Sequence, residues 1–287
     1  MTLYISVAEF KQAPTSIDYT TLDQDNYGNQ AAQDASLLNV LRRASSWVDT
    51  IVQQETLEAT VNTELKEVRM SRDGRINVHV NNTPIIQLQK VEYRTSPLEP
   101  FKEVNLTDIE VKDSWFTIYG VHLMNSLESN IFIGNRTPYY RKSDIPITVR
   151  YTYVNGWTNT ILAANVAANS KVVTLADPTG LVPGQRLTLY DGPTQETVTV
   201  ESIAGNSVTL MNPLLFDHAK LTTISAIPDN VKQATLLLAM YLIKERGSLA
   251  VTMQESQIST ISYNTKKSDD LSVARELLQP YKRVVTS

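Results

Sequence analysis

The stretch Ile227-Pro228-Asp229-Asn230-Val231-Lys232-Gln233-Ala234-Thr235-Leu236-Leu237-Leu238-Ala239-Met240-Tyr241-Leu242-Ile243-Lys244-Glu245-Arg246-Gly247 carries the start and stop signals of a helix. Pro228 suits a first turn, where its missing N–H is no loss, and Asp229 sets negative charge at the positive end of the helix dipole. Lys244 and Arg246 suit the last turn, and Gly247 reads as the left-handed cap. Between them, Leu236 to Ile243 holds no charged residue and offers no polar stripe, so burial on every side is the expectation. A membrane span needs about 20 apolar residues, and this run is far shorter. The helix needs cover from its own chain or from another copy.

Its cover is sought first within the chain. From Asp34 to Val52 the apolar residues Leu37, Leu41, Ala44, Val48 and Ile51 recur at helical spacing, with Arg42, Arg43, Ser46, Asp49 and Thr50 on the other side. Ser6-Val7-Ala8-Glu9 has the spacing of a capping box before a short helix that ends ahead of Pro14. Residues 15–33 are polar and read as a long loop. Near the far end, Ser268-Asp269-Asp270 can cap a last helix with Leu271, Ala274, Leu278 and Tyr281 on one face, stopped by Pro280. Residues 248–268, rich in Ser, Thr and Gln, suit a loop or extended arm.

The middle of the chain has a different texture. Alternating segments at Glu67–Met70 and Ile76–Val80, joined through Arg72-Asp73-Gly74-Arg75, read as a hairpin. Further strands are expected at Ile85–Tyr93, Asp108–Val111, Trp115–Tyr119 and Ile147–Val154. After a linker over Ala163–Ser170, turn signals at Asp177-Pro178-Thr179-Gly180, Pro183-Gly184, Asp191-Gly192-Pro193 and Gly205-Asn206 bracket Val172–Leu175, Arg186–Tyr190, Glu196–Glu201 and Ser207–Met211. Four such strands suit a small barrel or sandwich. The fold class is therefore α+β: a small helical bundle made from both ends of the chain, with two inserted antiparallel β subdomains. The segments are 1–57 and 227–287 for the helical core, 58–158 for the first β domain and 159–226 for the second.

Composition narrows the function. The chain has 287 residues, 42% of them hydrophobic and 20% charged, with a net charge of -4. That charge argues against gripping nucleic acid through many phosphates. Cysteine is absent, which removes disulfides, thiolate nucleophiles and the usual structural zinc sites. No signal peptide or membrane span is legible, so folding and assembly in a cytoplasm are expected. His79, His122 and His218 are isolated from one another, and neither a phosphate-binding loop nor a dinucleotide fingerprint occurs. Asp217-His218 does not read as a base with its orienting carboxylate, because neighbouring residues in extended chain point apart. The basic pairs Arg42-Arg43 and Lys282-Arg283 lack interleaved aromatics. No enzyme, cofactor or metal is expected.

Four pieces, in order, carry a resemblance: Ile5-Ser6-Val7-Ala8-Glu9-Phe10-Lys11, the helix from Asp34 to Val52, Pro228-x-x-Val231-Lys232-x-Ala234, and Leu277-Leu278-Gln279-Pro280-Tyr281-Lys282-Arg283. They resemble the head-tail connector (adaptor) proteins of tailed bacteriophages. The resemblance implies a compact helical bundle, and about a dozen subunits in a ring below the portal through which the genome passes. It implies the portal protein and a tail-side connector or terminator as partners, non-specific passage of double-stranded DNA, no membrane, and a place at the head-tail interface of the virion. It makes Pro280, Tyr281, Lys282 and Arg283 the candidate portal-docking tail. Val231, Ala234, Leu237, Leu238, Tyr241 and Leu242 are the candidate core and inter-subunit positions of the buried helix. The two β segments depart from the short members of that family. They leave room for an alternative, a β-rich binding module for a glycan or host surface, which would gather Trp115, Tyr139, Tyr140, Trp157 and Tyr190 on one open face.

Overall fold

The chain starts with the capping box. Glu9 N–H donates to Ser6 Oγ at 3.2 Å and Ser6 N–H donates to Glu9 Oε2 at 2.6 Å, which starts α1 (Val7–Gln12). The computed structural model describes residues 3–15, 17–22, 28–71, 75–119, 146–192, 194–251 and 269–283. It mixes helices with several antiparallel sheets. Two compact units result: Met1–Glu58 with Trp157–Ser287, and Ala59–Gly156.

In the first unit, α2 (Gln30–Val52) begins ahead of the expected Asp34, because the Asn29 side chain accepts from Ala32 N–H and caps it. Its buried stripe is Leu37, Leu41, Ala44, Val48 and Val52. The helix read from the opening stretch is α3 (Asp229–Val251), and α4 (Asp269–Leu278) follows. The stop expected at Gly247 does not hold, since α3 runs on to Val251. Glycine inside a helix costs only about 1 kcal/mol against alanine, and Leu249 and Ala250 are good helix formers. Residues 252–268, most of the expected arm, lie outside the described residues. The helices share one core, in which Val231, Ala234 and Leu238 of α3 meet Leu37, Leu41 and Ala44 of α2 and Ala274 and Leu278 of α4.

The second unit holds β1 (Thr60–Arg69), β2 (Arg75–His79), β3 (Ile85–Arg94), β4 (Lys102–Glu103), β5 (Ile109–Val111), β6 (Trp115–Tyr119) and β7 (Pro146–Asn155). They form two sheets, β1-β7-β3-β4 and β2-β6-β5. The expected hairpin between β1 and β2 is therefore absent as a ladder, although Ser71 N–H still reaches Arg75 O at 2.8 Å. β1 instead pairs with β7 along its whole length, from Thr60↔Asn155 to Arg69↔Pro146, while β2 sets Ile76 and Val78 against Ile118 and Phe116 of β6. Longer ladders and apolar cross-strand pairs outweigh a local turn signal. The turn itself, residues 72–74, lies outside the described residues. Ile76, Val78, Phe116 and Ile118 of one sheet bury against Val91, Ile147, Val149 and Tyr151 of the other.

The first unit also contains β8 (Asn159–Ile161), β9 (Val172–Thr174), β10 (Arg186–Tyr190), β11 (Glu196–Ala204), β12 (Ser207–Leu210) and β13 (Thr223–Ser225), in the order β8-β13-β10-β11-β12-β9. The ends of that order meet. Ala163 N–H donates to Thr174 O at 2.8 Å and Ala176 N–H to Ile161 O at 2.9 Å, around a Leu162↔Leu175 bridge. The sheet is thus a closed barrel with no free edge, filled by Leu162, Val173, Leu187, Leu189, Val200 and Ile224. The Ala163–Ser170 linker takes part in this closure, and β8 and β13 are strands that three-residue runs do not announce.

Candidate functional site

The outward face of α3 is the first candidate. Val231, Ala234 and Leu238 are fully buried within their own chain and belong to the core. Leu236, Leu237, Met240, Tyr241 and Leu242 are only half-buried, so burial on all sides does not hold for a single chain. The reason is geometric: α2 and α4 cover two flanks of α3, and helical spacing turns Gln233, Leu237, Met240 and Lys244 to the remaining side. Gln233 and Lys244 at its ends are exposed, so an apolar strip lies between two polar ends. Tyr241 has a partner of its own, the edge of Trp47 at a ring distance of 5.7 Å.

The second candidate is the junction of α1, α3 and β10. Lys232 Nζ lies 2.8 Å from Glu9 Oε1 and 3.5 Å from the centre of the Tyr190 ring, with both charged side chains 9% exposed. Burial draws the Lys232 pKa below the ordinary lysine value, against the opposing pull of Glu9 and Asp229. Burial, with Glu9 and then Asp229 adding to it, drives the Tyr190 phenol well above its ordinary range. A cleft of about 360 Å³ opens beside them, edged by Gln12, Gln195 and Gln233. Both partners of the ion pair occur in the quoted connector-like pieces, yet nothing in their spacing foretold that they meet.

The expected docking tail is largely held by its own chain. Tyr281 stands edge-on to Trp157 at 5.4 Å, and its carbonyl accepts from Gln54 Nε2 at 2.9 Å. Burial raises its pKa, and a hydrogen bond from Asn230 opposes that rise. Arg283 N–H donates to Val52 O at 2.9 Å, which satisfies a carbonyl at the end of α2. Pro280 and Lys282 are exposed, and residues 284–287 lie outside the described residues. Tyr281 therefore packs half-buried on the helical core, and Pro280 and Lys282 are the outward members of the set.

Chemistry that the sequence did not suggest appears in the barrel. His218 is buried and its partner is Glu196, not Asp217: Nε2 lies 2.7 Å from Glu196 Oε1, and Nδ1 lies 3.5 Å from Asp191 Oδ2. Glu196 also accepts the N–H groups of Leu215 and Phe216, while Asp217 accepts from Ala168 N–H. The carboxylate thereby pins the 213–218 turn to β11. Only the fold brings residues 196 and 218 together, and no sequence signal would have found the pair. Among the described residues no group of three or more His, Asp or Glu is placed to hold a metal ion.

The aromatic residues of the alternative reading are dispersed where described. Trp157 packs on Tyr281 and Tyr190 lies under Lys232, while Trp115 of β6 contacts His79. Tyr139, Tyr140 and His122 lie outside the described residues.

No protein-family model matches the chain, and no curated protein matches it. A solved structure to which it is similar is the Gp54 tailspike of Acinetobacter baumannii bacteriophage AP22 in complex with A. baumannii capsular saccharide, at 21% identity and a TM-score of 0.22. The match covers 24% of this chain and 14% of the tailspike chain. A likeness this slight supports no statement about function.

Proposed function

We propose that this chain is a structural component of a phage virion, a head-tail connector that assembles into a ring beneath the portal. The observation that carries the reading is the half-exposed apolar strip Leu236, Leu237 and Met240 on α3. A helix this apolar with one side open needs a further partner, and a ring supplies it from the neighbouring copy through a heterologous contact. The ordered connector-like pieces support the same reading. So does the helical core built from both ends of the chain, with the β segments as insertions between them.

In this reading the protein works by geometry, with no bond made or broken. Lys282, exposed beside Pro280, faces the portal side, and the β segments meet tail components or the outside. The net charge of -4 per copy, repeated around a channel, repels duplex DNA more than it holds it and so favours passage.

Negative-stain micrographs of the purified chain, with sedimentation velocity at tens of micromolar (an order-of-magnitude working range), test the proposal. Closed rings of uniform size are expected. A chain that remains monomeric there, alone and with portal, overturns it, and saturable binding on a glycan array would redirect the reading to a recognition module.

A further inference from the structure

A ring of the kind proposed above joins its copies through a heterologous contact, which sets two unlike patches of one chain against each other. The α3 strip is one of them. The other must be apolar, open and part of the same unit. Among the described residues of the unit formed by Met1–Glu58 and Trp157–Ser287, the exposed large hydrophobics are Val172, Met211, Leu215, Phe216, Leu221 and Val273. Four of these six fall in one turn, residues 211–222 between β12 and β13, with Leu215 72% and Leu221 62% exposed. That concentration singles out the turn.

The turn is not loose chain. Leu214 and His218 plug it into the barrel and are buried. Leu214 N–H donates to Ser170 O at 2.9 Å, His218 N–H to Val166 O at 2.8 Å and Leu221 N–H to Leu162 O at 3.0 Å. Side chains hold the rest: Glu196 accepts from Leu215 and Phe216, Asp191 from Ala219 N–H at 3.2 Å, and Asn165 from Lys220 N–H at 2.6 Å. Leu221 also sits at φ 74°, in the left-handed region that leucine seldom adopts. The backbone is fixed while its apolar side chains are left open. Such side chains lose little freedom when a partner covers them, as the anchor of an interface requires.

The two patches match in chemistry. Between Gln233 and Lys244, α3 carries no charge, and its open strip is the aliphatic and thioether surface of Leu236, Leu237 and Met240. Leu215 offers an aliphatic group and Phe216 a ring, a favourable neighbour for methionine sulfur. At the rim the exposed Asp217 follows Phe216, and the strip ends on the exposed Lys244, which pairs with Asp270 at 2.7 Å. The Lys244 end is thus the end that Asp217 suits. A strip-on-strip contact would close at a dimer and leave the turn bare. A second copy set head to tail brings strips and turns in equal number, so every strip in a closed ring is covered. We propose, resting on the ring reading, that Leu215 and Phe216 of one copy cover Leu237 and Met240 of the next.

The full chain has no cysteine, so introduced thiols report the contact without background. Leu237→Cys and Phe216→Cys chains are mixed dilute, concentrated to form rings, and then oxidised or joined by a short bismaleimide; a direct disulfide needs Cα atoms within about 7 Å. Covalent dimer is expected from the mixture and from neither chain alone. Leu65→Cys on β1, a position 57% exposed in the Ala59–Gly156 unit, serves as the competitor. Leu215→Ser with Phe216→Ser should raise the concentration at which rings form about ten-fold or more, the scale of leaving one such side chain uncovered. Its melting temperature should stay within about 4 °C of the parent, which separates lost assembly from lost fold. Cross-linking of Leu237→Cys to itself, or to Leu65→Cys in preference to Phe216→Cys, overturns the contact, as do rings undisturbed by the double serine variant. Rings that form without a 216–237 product remove this pairing and leave the ring reading standing, whereas a chain that stays monomeric removes both.

Discussion

Glu9 Oε1 stands 2.8 Å from Lys232 Nζ, while Oε2 of the same carboxylate accepts Ser6 N–H at 2.6 Å. One side chain thus completes the cap of α1 and neutralises a buried lysine on α3. Breaking such a pair from one side leaves an uncompensated charge, at a cost of about 3–5 kcal/mol. Glu9→Ala and Lys232→Met should therefore each destabilise the first unit by about that amount, and the double variant Glu9→Gln with Lys232→Met, which leaves no unpaired charge, by far less. Urea unfolding followed by Trp47 and Trp157 fluorescence checks all three. A double variant that loses as much as the two single variants combined would contradict the assignment.

Asp49 accepts the Tyr4 hydroxyl, and its pKa is raised to about 6, first by burial and then by the nearby Glu58 charge, against the hydrogen bonds from Tyr4 and Leu57. The folded value lies above the unfolded value, so the native state binds more protons between about pH 4 and pH 6. This group's contribution is most favourable below pH 4 and is lost as pH rises through the folded pKa near 6. Asp49→Asn keeps an acceptor for Tyr4 and should flatten that slope. Because Asp49 is half-buried, the expected gain at pH 7 is about 1–2 kcal/mol, less than the full shift implies. Melting temperatures from pH 4 to 8 are the measurement.

Leu237→Glu sets a charge in the middle of the open strip of α3. Ring formation should fail while the melting temperature of the single chain shifts by no more than about 4 °C, as expected for a position that is not fully buried. Sedimentation velocity and circular dichroism on the same sample separate loss of assembly from loss of fold.

Glu196→Ala removes the acceptor of Leu215 N–H, Phe216 N–H and His218 Nε2 together. Losses of about 1–3 kcal/mol are typical for each buried group left unpaired. The turn it holds carries Leu215 and Phe216, 72% and 41% exposed, so limited proteolysis with chymotrypsin should cut there faster in the variant.

α2 ends on Gln53 in the left-handed conformation, φ 60°, where a side chain is strained. Gln53→Gly should stabilise the first unit by up to about 1 kcal/mol. A lower melting temperature would show that the side chain has a role the backbone does not explain.

What was legible beforehand follows a physical division. Local signals worked where they compete with little. The Ser6–Glu9 box, the α2 stripe and the strand Arg186–Tyr190 all lie where their spacing places them. Signals that depend on distant partners did not. Gly247 reads as a stop only if nothing continues the helix, and the Asp73-Gly74 turn implies a hairpin only if β7 offers β1 no longer ladder. The barrel's closing strands are too short for periodicity, and the Glu9–Lys232 and Glu196–His218 neighbourhoods are made by chain reversal. Tyr281 was readable as a core residue or a docking residue, and nothing in its spacing foretold its edge-on contact with Trp157.

The ladder Thr60↔Asn155 has a further consequence. Directly beyond it Glu58 bridges to Trp157, and Trp157 N–H reaches Leu57 O at 2.9 Å. The polypeptide thus leaves for the Ala59–Gly156 unit and returns from it through two neighbouring backbone positions, like a drawer entering and leaving by one slot. A genome could lengthen or trade that cassette without re-routing any strand of the barrel or any helix that packs on α3.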